Sequence, residues 1–84
     1  MALKYEIHKM HTDDDDSSKT KVGFKVTGDS GSVFIIDKVI TTGSKTAEQI
    51  VTEAQTASKS EIDAWVATQS NIGRVWDADN NKFV

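Results

Sequence analysis

Residues 43–46 are the part of the sequence closest to a nucleotide-binding motif. Gly43, Ser44, Lys45 and Thr46 follow a predicted strand and precede a predicted helix, which is the setting of a phosphate-binding loop. That motif needs a glycine directly before its lysine and a second glycine earlier in the loop. Ser44 separates Gly43 from Lys45, and positions 38–42 contain no glycine. The segment is therefore interpreted as the start of a helix, with no bound cofactor.

Two further groups carry the side-chain types that bind metal ions. Asp77, Asp79 and Asn81 have the spacing of the first three ligands of a calcium loop, but Lys82 stands where that loop needs glycine. Such short polar residues also form turns, and we interpret them in that way, as weak metal candidates only. His8 and His11, beside an aspartate run, lack the ordered setting that a zinc site needs. The sequence predicts no metal site.

The aspartate run, Asp13–Asp16, is the most charged part of the chain. It supplies four of the thirteen acidic residues, so the other nine face ten basic residues and the rest of the chain is about neutral. No basic cluster is visible in the sequence, which argues against direct binding of nucleic acid. We expect residues 11–20 to form an exposed acidic loop that could contact a basic protein surface.

The remaining residue patterns do not indicate catalysis either. The chain has no cysteine, its serines fall at predicted caps and turns, and neither histidine lies in a motif that activates a hydroxyl group. We therefore expect a protein that is not an enzyme. A chain of 84 residues without disulfides or metal has a small core, and such proteins often gain stability from self-association or a protein partner.

The elements that position these residues follow from hydrophobic spacing. Alternation of apolar and polar residues predicts three strands, and a change of period after Thr46 predicts helical structure. We predict a single α+β domain over 1–84. Its expected elements are an antiparallel three-stranded meander (about 2–10, 20–27 and 32–41), one or two helices (about 46–57 and 60–71) and a C-terminal β-hairpin (about 74–84).

Several details of these elements can be predicted further. Thr46 and Gln49 form a capping box, and the polar residues 58–60 favour a break between two helices. The third strand is apolar on both faces, which is typical of a central or covered strand. Asn80 suits the left-handed position of the hairpin turn. Trp65 belongs to the apolar helix face, whereas Trp76 in the hairpin is the better candidate for a binding surface.

The chain shows no targeting or membrane segment by its composition. Residues 1–20 lack the apolar run of a signal peptide, and no stretch of about 18 apolar residues is present. We expect no membrane contact and an intracellular location.

Three segments carry a resemblance to a group of proteins. They are residues 4–13 (KYEIHKMHTD), 25–32 (KVTGDSGS) and 60–66 (SEIDAWV), and they resemble small uncharacterised cyanophage-type proteins of tailed bacteriophages. The resemblance implies a strand meander with a helix carrying a Trp-Val pair, and a location in the host cytoplasm or the virion. It assigns no functional residue.

Three hypotheses about function follow. The first is a structural or assembly component of a phage particle, such as a capsid cement or tail-associated protein. The second is an inhibitor or adaptor that binds a host protein through Asp13–Asp16. The third is a domain that binds a divalent cation.

Overall fold

A three-stranded antiparallel sheet, one helix and a separate hairpin make up the chain. The computed structural model describes residues 3–84, so position 2 of the predicted first strand lies outside the described residues. The elements are β1 (Lys4–Thr12), β2 (Lys19–Thr27), β3 (Val33–Thr41), α1 (Ala47–Gln69), β4 (Trp76–Asp77) and β5 (Lys82–Phe83). The sheet order is β1-β2-β3, and β4 pairs with β5. The prediction of an α+β fold is confirmed.

The core lies between α1 and one face of the sheet, called here the helix face. Val22, Phe24 and Val26 of the central strand are almost completely buried, as their alternation predicts. The remaining core residues come from β3 and α1: Ile36, Ile40, Ile50, Ala54 and Ile62. Trp65 is half-buried and stacks on Phe34 with ring centroids 5.4 Å apart, which agrees with its predicted place on the apolar face of the helix.

The helix is continuous through residues 58–60, where the sequence predicted a break between two helices. That prediction is wrong. Thr46 forms the predicted capping box with Gln49, and the helix then continues to Gln69. Ser58 does not interrupt it, because its hydroxyl donates to the Ala54 carbonyl 2.7 Å away within the same helix. Ser58 is fully buried in line with Ala54 and Ile62, so a polar residue here belongs to the face that packs on the sheet.

A β-bulge in β1 interrupts the simple alternation of its residues. Ile7 pairs with Phe24, but Gly23 is paired with Lys9, so His8 is the extra residue. The bulge explains why the apolar residues Ile7 and Met10 are three positions apart yet lie on the same face. It also places His8 and Lys9 together opposite Gly23.

The strands β1 and β2 extend further into the predicted acidic loop than expected. Thr12 pairs with Thr20 and His11 with Lys21, so only residues 13–18 form the loop. The reason is that backbone pairing does not need apolar side chains, and threonine is well suited to strands.

The helix covers only part of the sheet. It packs mainly on β3 and less on β2, antiparallel to β3. Tyr5, Ile7 and Met10 share the helix face but remain exposed on β1. The strand β3 is an edge strand and not the central or covered one that its two apolar faces predicted. No element of residues 3–84 covers its second face, where Val33, Ile35 and Val39 are exposed.

Candidate functional site

The C-terminal hairpin presents aromatic side chains on the surface. Trp76 packs edge-on against Phe83 with ring centroids 5.2 Å apart, and the Arg74 guanidinium carbon lies 3.7 Å from the centre of the Phe83 ring. The backbone amide of Val84 donates to the Val75 carbonyl and closes the hairpin at its base. Trp76 is nevertheless 53% exposed, and a residue of a binding surface has to be exposed in this way. The observed ladder is shorter than the predicted hairpin over 74–84.

Exposure of large apolar residues extends well beyond this hairpin. Eight apolar residues form the buried core of residues 3–84 and five more are half-buried against it, whereas eleven large hydrophobic side chains are exposed there. More of these side chains are therefore exposed than are fully buried. They fall on three surfaces. The exposed residues are Tyr5, Ile7 and Met10 on β1; Val33, Ile35 and Val39 on β3; and Ile72, Val75, Trp76, Phe83 and Val84 at the C-terminal end.

The β1 surface forms a cleft with the helix. A cavity of about 430 Å³ lies between Ile7 and Met10 on one side and Val51 on the other. Further along β1, Tyr5 makes an edge-on contact with Phe24 at 5.9 Å between ring centroids. The cleft exists because α1 packs mainly on β3 and less on β2, so that it does not cover β1.

An ion cluster crosses the opposite face of the sheet, called here the open face. The Asp37 carboxylate of β3 lies 3.4 Å from Lys9 Nζ and 3.9 Å from His8 Nε2 of β1. These groups reach across the central strand because Gly23 has no side chain there. A Cβ atom at Gly23 would lie 2.6 Å from Asp37 Oδ1. A glycine within a strand is a known sign of close approach, and this sign was present in the sequence.

The four aspartates of the acidic run are not equivalent. Asp14 and Asp15 are exposed, whereas Asp13 and Asp16 are half-buried. The Asp16 carboxylate accepts hydrogen bonds from the Ser18 hydroxyl at 2.6 Å and the Ser18 amide at 3.0 Å. These bonds, with a smaller effect of Lys19, lower the pKa of Asp16. Asp16 therefore stabilises the turn in which the acidic run lies.

The calcium candidates also serve a turn. Asp77 Oδ1 accepts from the backbone amides of Asp79 and Asn80, and Asp77 Oδ2 accepts from the Asn80 side chain at 2.7 Å. Hydrogen bonding to Asn80 is the main cause that lowers the pKa of Asp77. Asn81, and not Asn80, takes the left-handed conformation, with φ of 54°. Within residues 3–84, no three side chains of His, Cys, Asp or Glu come together as a metal site would require.

The segment that resembles a phosphate-binding loop is occupied by contacts within the chain. Lys45 Nζ lies 2.5 Å from Glu53 Oε2 and donates to the Thr41 carbonyl at 2.9 Å. The Thr46 hydroxyl caps the helix by accepting from the Gln49 amide. These contacts agree with the interpretation of the segment as a helix start.

Comparison with known proteins finds no matching protein-family model, no matching curated protein and no matching solved structure. In the described part of the chain, α1 lacks the length of apolar sequence that a membrane-spanning helix needs.

Proposed function

We propose that this chain is a non-enzymatic assembly protein that associates with copies of itself through its C-terminal hairpin, as a structural component of a phage particle. The observation that supports self-association is the exposure of more large apolar side chains than the core buries. In water each of these partly exposed side chains forgoes a fraction of the roughly 1.5–3 kcal/mol that full burial contributes. Contact with another copy recovers part of this free energy.

Trp76 is the residue on which the proposal concentrates. Tryptophan and arginine are the residue types most enriched at binding hot spots, and here Arg74, Trp76 and Phe83 are neighbours on one small element. The mutual packing of the rings fixes their orientation before contact, which lowers the entropy lost on binding. The elongated shape, 55 × 26 × 17 Å, leaves the hairpin accessible to a neighbouring molecule.

Sedimentation velocity over a wide range of protein concentration tests the self-association. We expect oligomers that dissociate on dilution, and a Trp76→Ser variant whose dissociation constant is raised by at least about tenfold. Val39→Ser is the matched control, because it also removes an exposed apolar side chain but lies on the sheet. A wild-type chain that stays monomeric at high concentration, or equal effects of both substitutions, contradicts the proposal.

The phage assignment rests on the resemblance of residues 4–13, 25–32 and 60–66 and is tested separately. The genes that neighbour the coding sequence are the direct observation. Capsid and tail genes beside it support a virion component, and a neighbourhood without any phage gene contradicts one.

A second candidate function is an adaptor that binds a basic host-protein surface through the acidic run. The exposure of Asp14 and Asp15 favours it, whereas the use of Asp16 in the turn reduces the charge that is free for a partner. Substituting asparagine at positions 14 and 15 should weaken such binding and remove its salt dependence. Unchanged affinity excludes this function.

A further inference from the structure

The open face of the sheet combines a basic strip with an apolar strip. The register places one residue of each strand in every row across this face. One row contains Glu6, Lys25 and Ile35, and another contains His11, Lys21 and Val39. In these two rows the charged groups lie on β1 and β2, and the apolar side chain lies on β3. In the row between them, Lys9 on β1 faces Asp37 on β3 across Gly23.

The charge of this face differs from that of the whole chain. Among the described residues the rows contain five lysines, Lys4, Lys9, Lys19, Lys21 and Lys25, against two carboxylates, Glu6 and Asp37. The face therefore carries a net charge of +3, and because the chain carries −3, the rest of it carries −6. Folding thus separates charges that look evenly mixed in the sequence.

Ion pairs identify which lysines are in excess. Glu6 lies 3.1 Å from Lys4, and Asp37 lies 3.4 Å from Lys9. Lys19 lies 3.8 Å from Asp16 at the edge of the face. Both carboxylates of the face therefore pair with lysines of β1. The lysines without such a pair are Lys21 and Lys25, which lie directly beside Val39 and Ile35.

The apolar strip needs a partner. Val33, Ile35 and Val39 are between 45% and 49% exposed, and β-branched residues in this number on the outer side of an edge strand are typical of a covered surface. A partner that covers them meets Lys21 and Lys25 at the same time.

A second copy of the chain does not have the required chemistry. Two open faces would bring like charges together. The acidic run carries negative charge, but residues 11–20 contain no apolar side chain that could cover the strip. On α1, three of the four carboxylates, those of Glu53, Glu61 and Asp63, already pair with lysines. The hairpin exposes apolar side chains, but Arg74 and Lys82 equal Asp77 and Asp79 in number, so it offers no net negative charge.

Nucleic acid also fits poorly. Sheets that bind single strands use several aromatic side chains for base stacking, and the rows of the open face contain no Phe, Tyr or Trp. A phosphate backbone would contact the lysines but leave the valine and isoleucine strip in water.

We propose that the open face is a docking surface for a different protein, whose contact region is acidic and carries an apolar ridge beside its carboxylates. The lysines of β2 pair with the carboxylates, and Val33, Ile35 and Val39 pack against the ridge. This surface is distinct from the hairpin, and its function does not depend on self-association of the chain.

The test uses a synthetic amphipathic helical peptide with leucines along one side and glutamates elsewhere. Its binding to the full chain is measured by fluorescence anisotropy and mapped by NMR chemical shifts. A peptide with lysine in place of glutamate, a polyglutamate peptide, and single- and double-stranded oligonucleotides serve as comparison probes. We expect the acidic amphipathic peptide to bind most tightly, with the largest shifts at the amides of β2 and β3 and an affinity that falls with salt.

Charge reversal distinguishes a docking surface from attraction to any lysine. Lys21→Glu with Lys25→Glu should lower the affinity by at least about tenfold. Lys59→Glu with Lys82→Glu makes the same change in net charge away from the open face and should leave the affinity within about twofold. Circular dichroism confirms that each variant is folded.

Four results overturn the proposal: equal losses in both double variants, shifts confined to the Tyr5–Met10 cleft or the hairpin, equal binding of the basic peptide, or tighter binding of an oligonucleotide. The last of these identifies a nucleic-acid surface. None of them bears on self-association through Trp76, which is measured without a peptide.

Discussion

Replacing Gly23 with alanine is expected to destabilise the chain by about 1–2 kcal/mol. The new Cβ atom would lie 2.6 Å from Asp37 Oδ1, 2.9 Å from His8 Cδ2 and 2.9 Å from Lys9 Cβ. The ends of the Asp37 and His8 side chains can rotate away, at the cost of the Asp37–Lys9 ion pair and of the contact between His8 and Asp37. Lys9 Cβ is fixed to the backbone, so β1 itself has to move.

The magnitude follows from two opposing effects. Overpacking of this kind costs about 1–3 kcal/mol. Replacement of glycine by alanine also restricts the unfolded chain, which returns about 0.4–1 kcal/mol. The difference corresponds to a fall in Tm of roughly 5–15 °C for a domain of this size.

Urea denaturation followed by circular dichroism measures this change in the free energy of unfolding. Gly28→Ala is the matched control, because its Cβ would lie 3.4 Å from the Trp65 ring, and that variant should stay within about 0.5 kcal/mol of wild type. In a double-mutant cycle, Asp37→Ala should cost less in the alanine background than in wild type. A Gly23→Ala variant at least as stable as the Gly28→Ala variant refutes the reasoning.

Three further predictions concern single residues. Thr46→Ala removes one half of the capping box and should cost about 1 kcal/mol of unfolding free energy, whereas no loss in urea denaturation contradicts the capping role. Ser58→Ala should change the free energy of unfolding by less than about 0.5 kcal/mol, because the hydroxyl is bonded only within its helix. Ser58→Leu should cost about 1–3 kcal/mol, because the larger side chain overpacks a buried position. Similar stabilities of the two variants would argue against burial of this residue. The pKa of Asp77 is lowered in the folded chain, so its contribution to stability is present above the ordinary aspartate pKa of about 3.9 and is lost as pH falls towards the lowered value. NMR titration of the carboxyl group checks this, and an Asp77 pKa at or above that of an unstructured peptide contradicts it.

Local sequence patterns were sufficient for the elements themselves. Alternation located three strands, and the spacing of Ile50, Val51 and Ala54 located the helix. The capping box at Thr46 was also predictable, since it involves groups only three residues apart. The sequence predicted only part of the candidate binding surfaces. The residue type of Trp76 made it a candidate, whereas the open face was not predicted.

Helix continuity depended on tertiary structure because the environment of Ser58 is not encoded by its neighbours. Serine is a weaker helix former than alanine, but here its hydroxyl donates to the carbonyl four residues earlier and the helix is held by packing on the sheet. The same limit applies to Val33, Ile35 and Val39. Their residue types predicted a covered strand, whereas strand order placed β3 at the edge.

The sequence by itself determined a net charge of −3 and an acidic run beside an apparently neutral remainder. Only the tertiary structure decided where the basic residues that balance the acidic ones lie on the surface. Pairing between strands brought Lys21 and Lys25 to one face with Lys9, and Gly23 let Asp37 reach across to β1. The physical reason is that charge on a surface depends on the register between distant segments, and register is set by burial of the opposite face of the sheet.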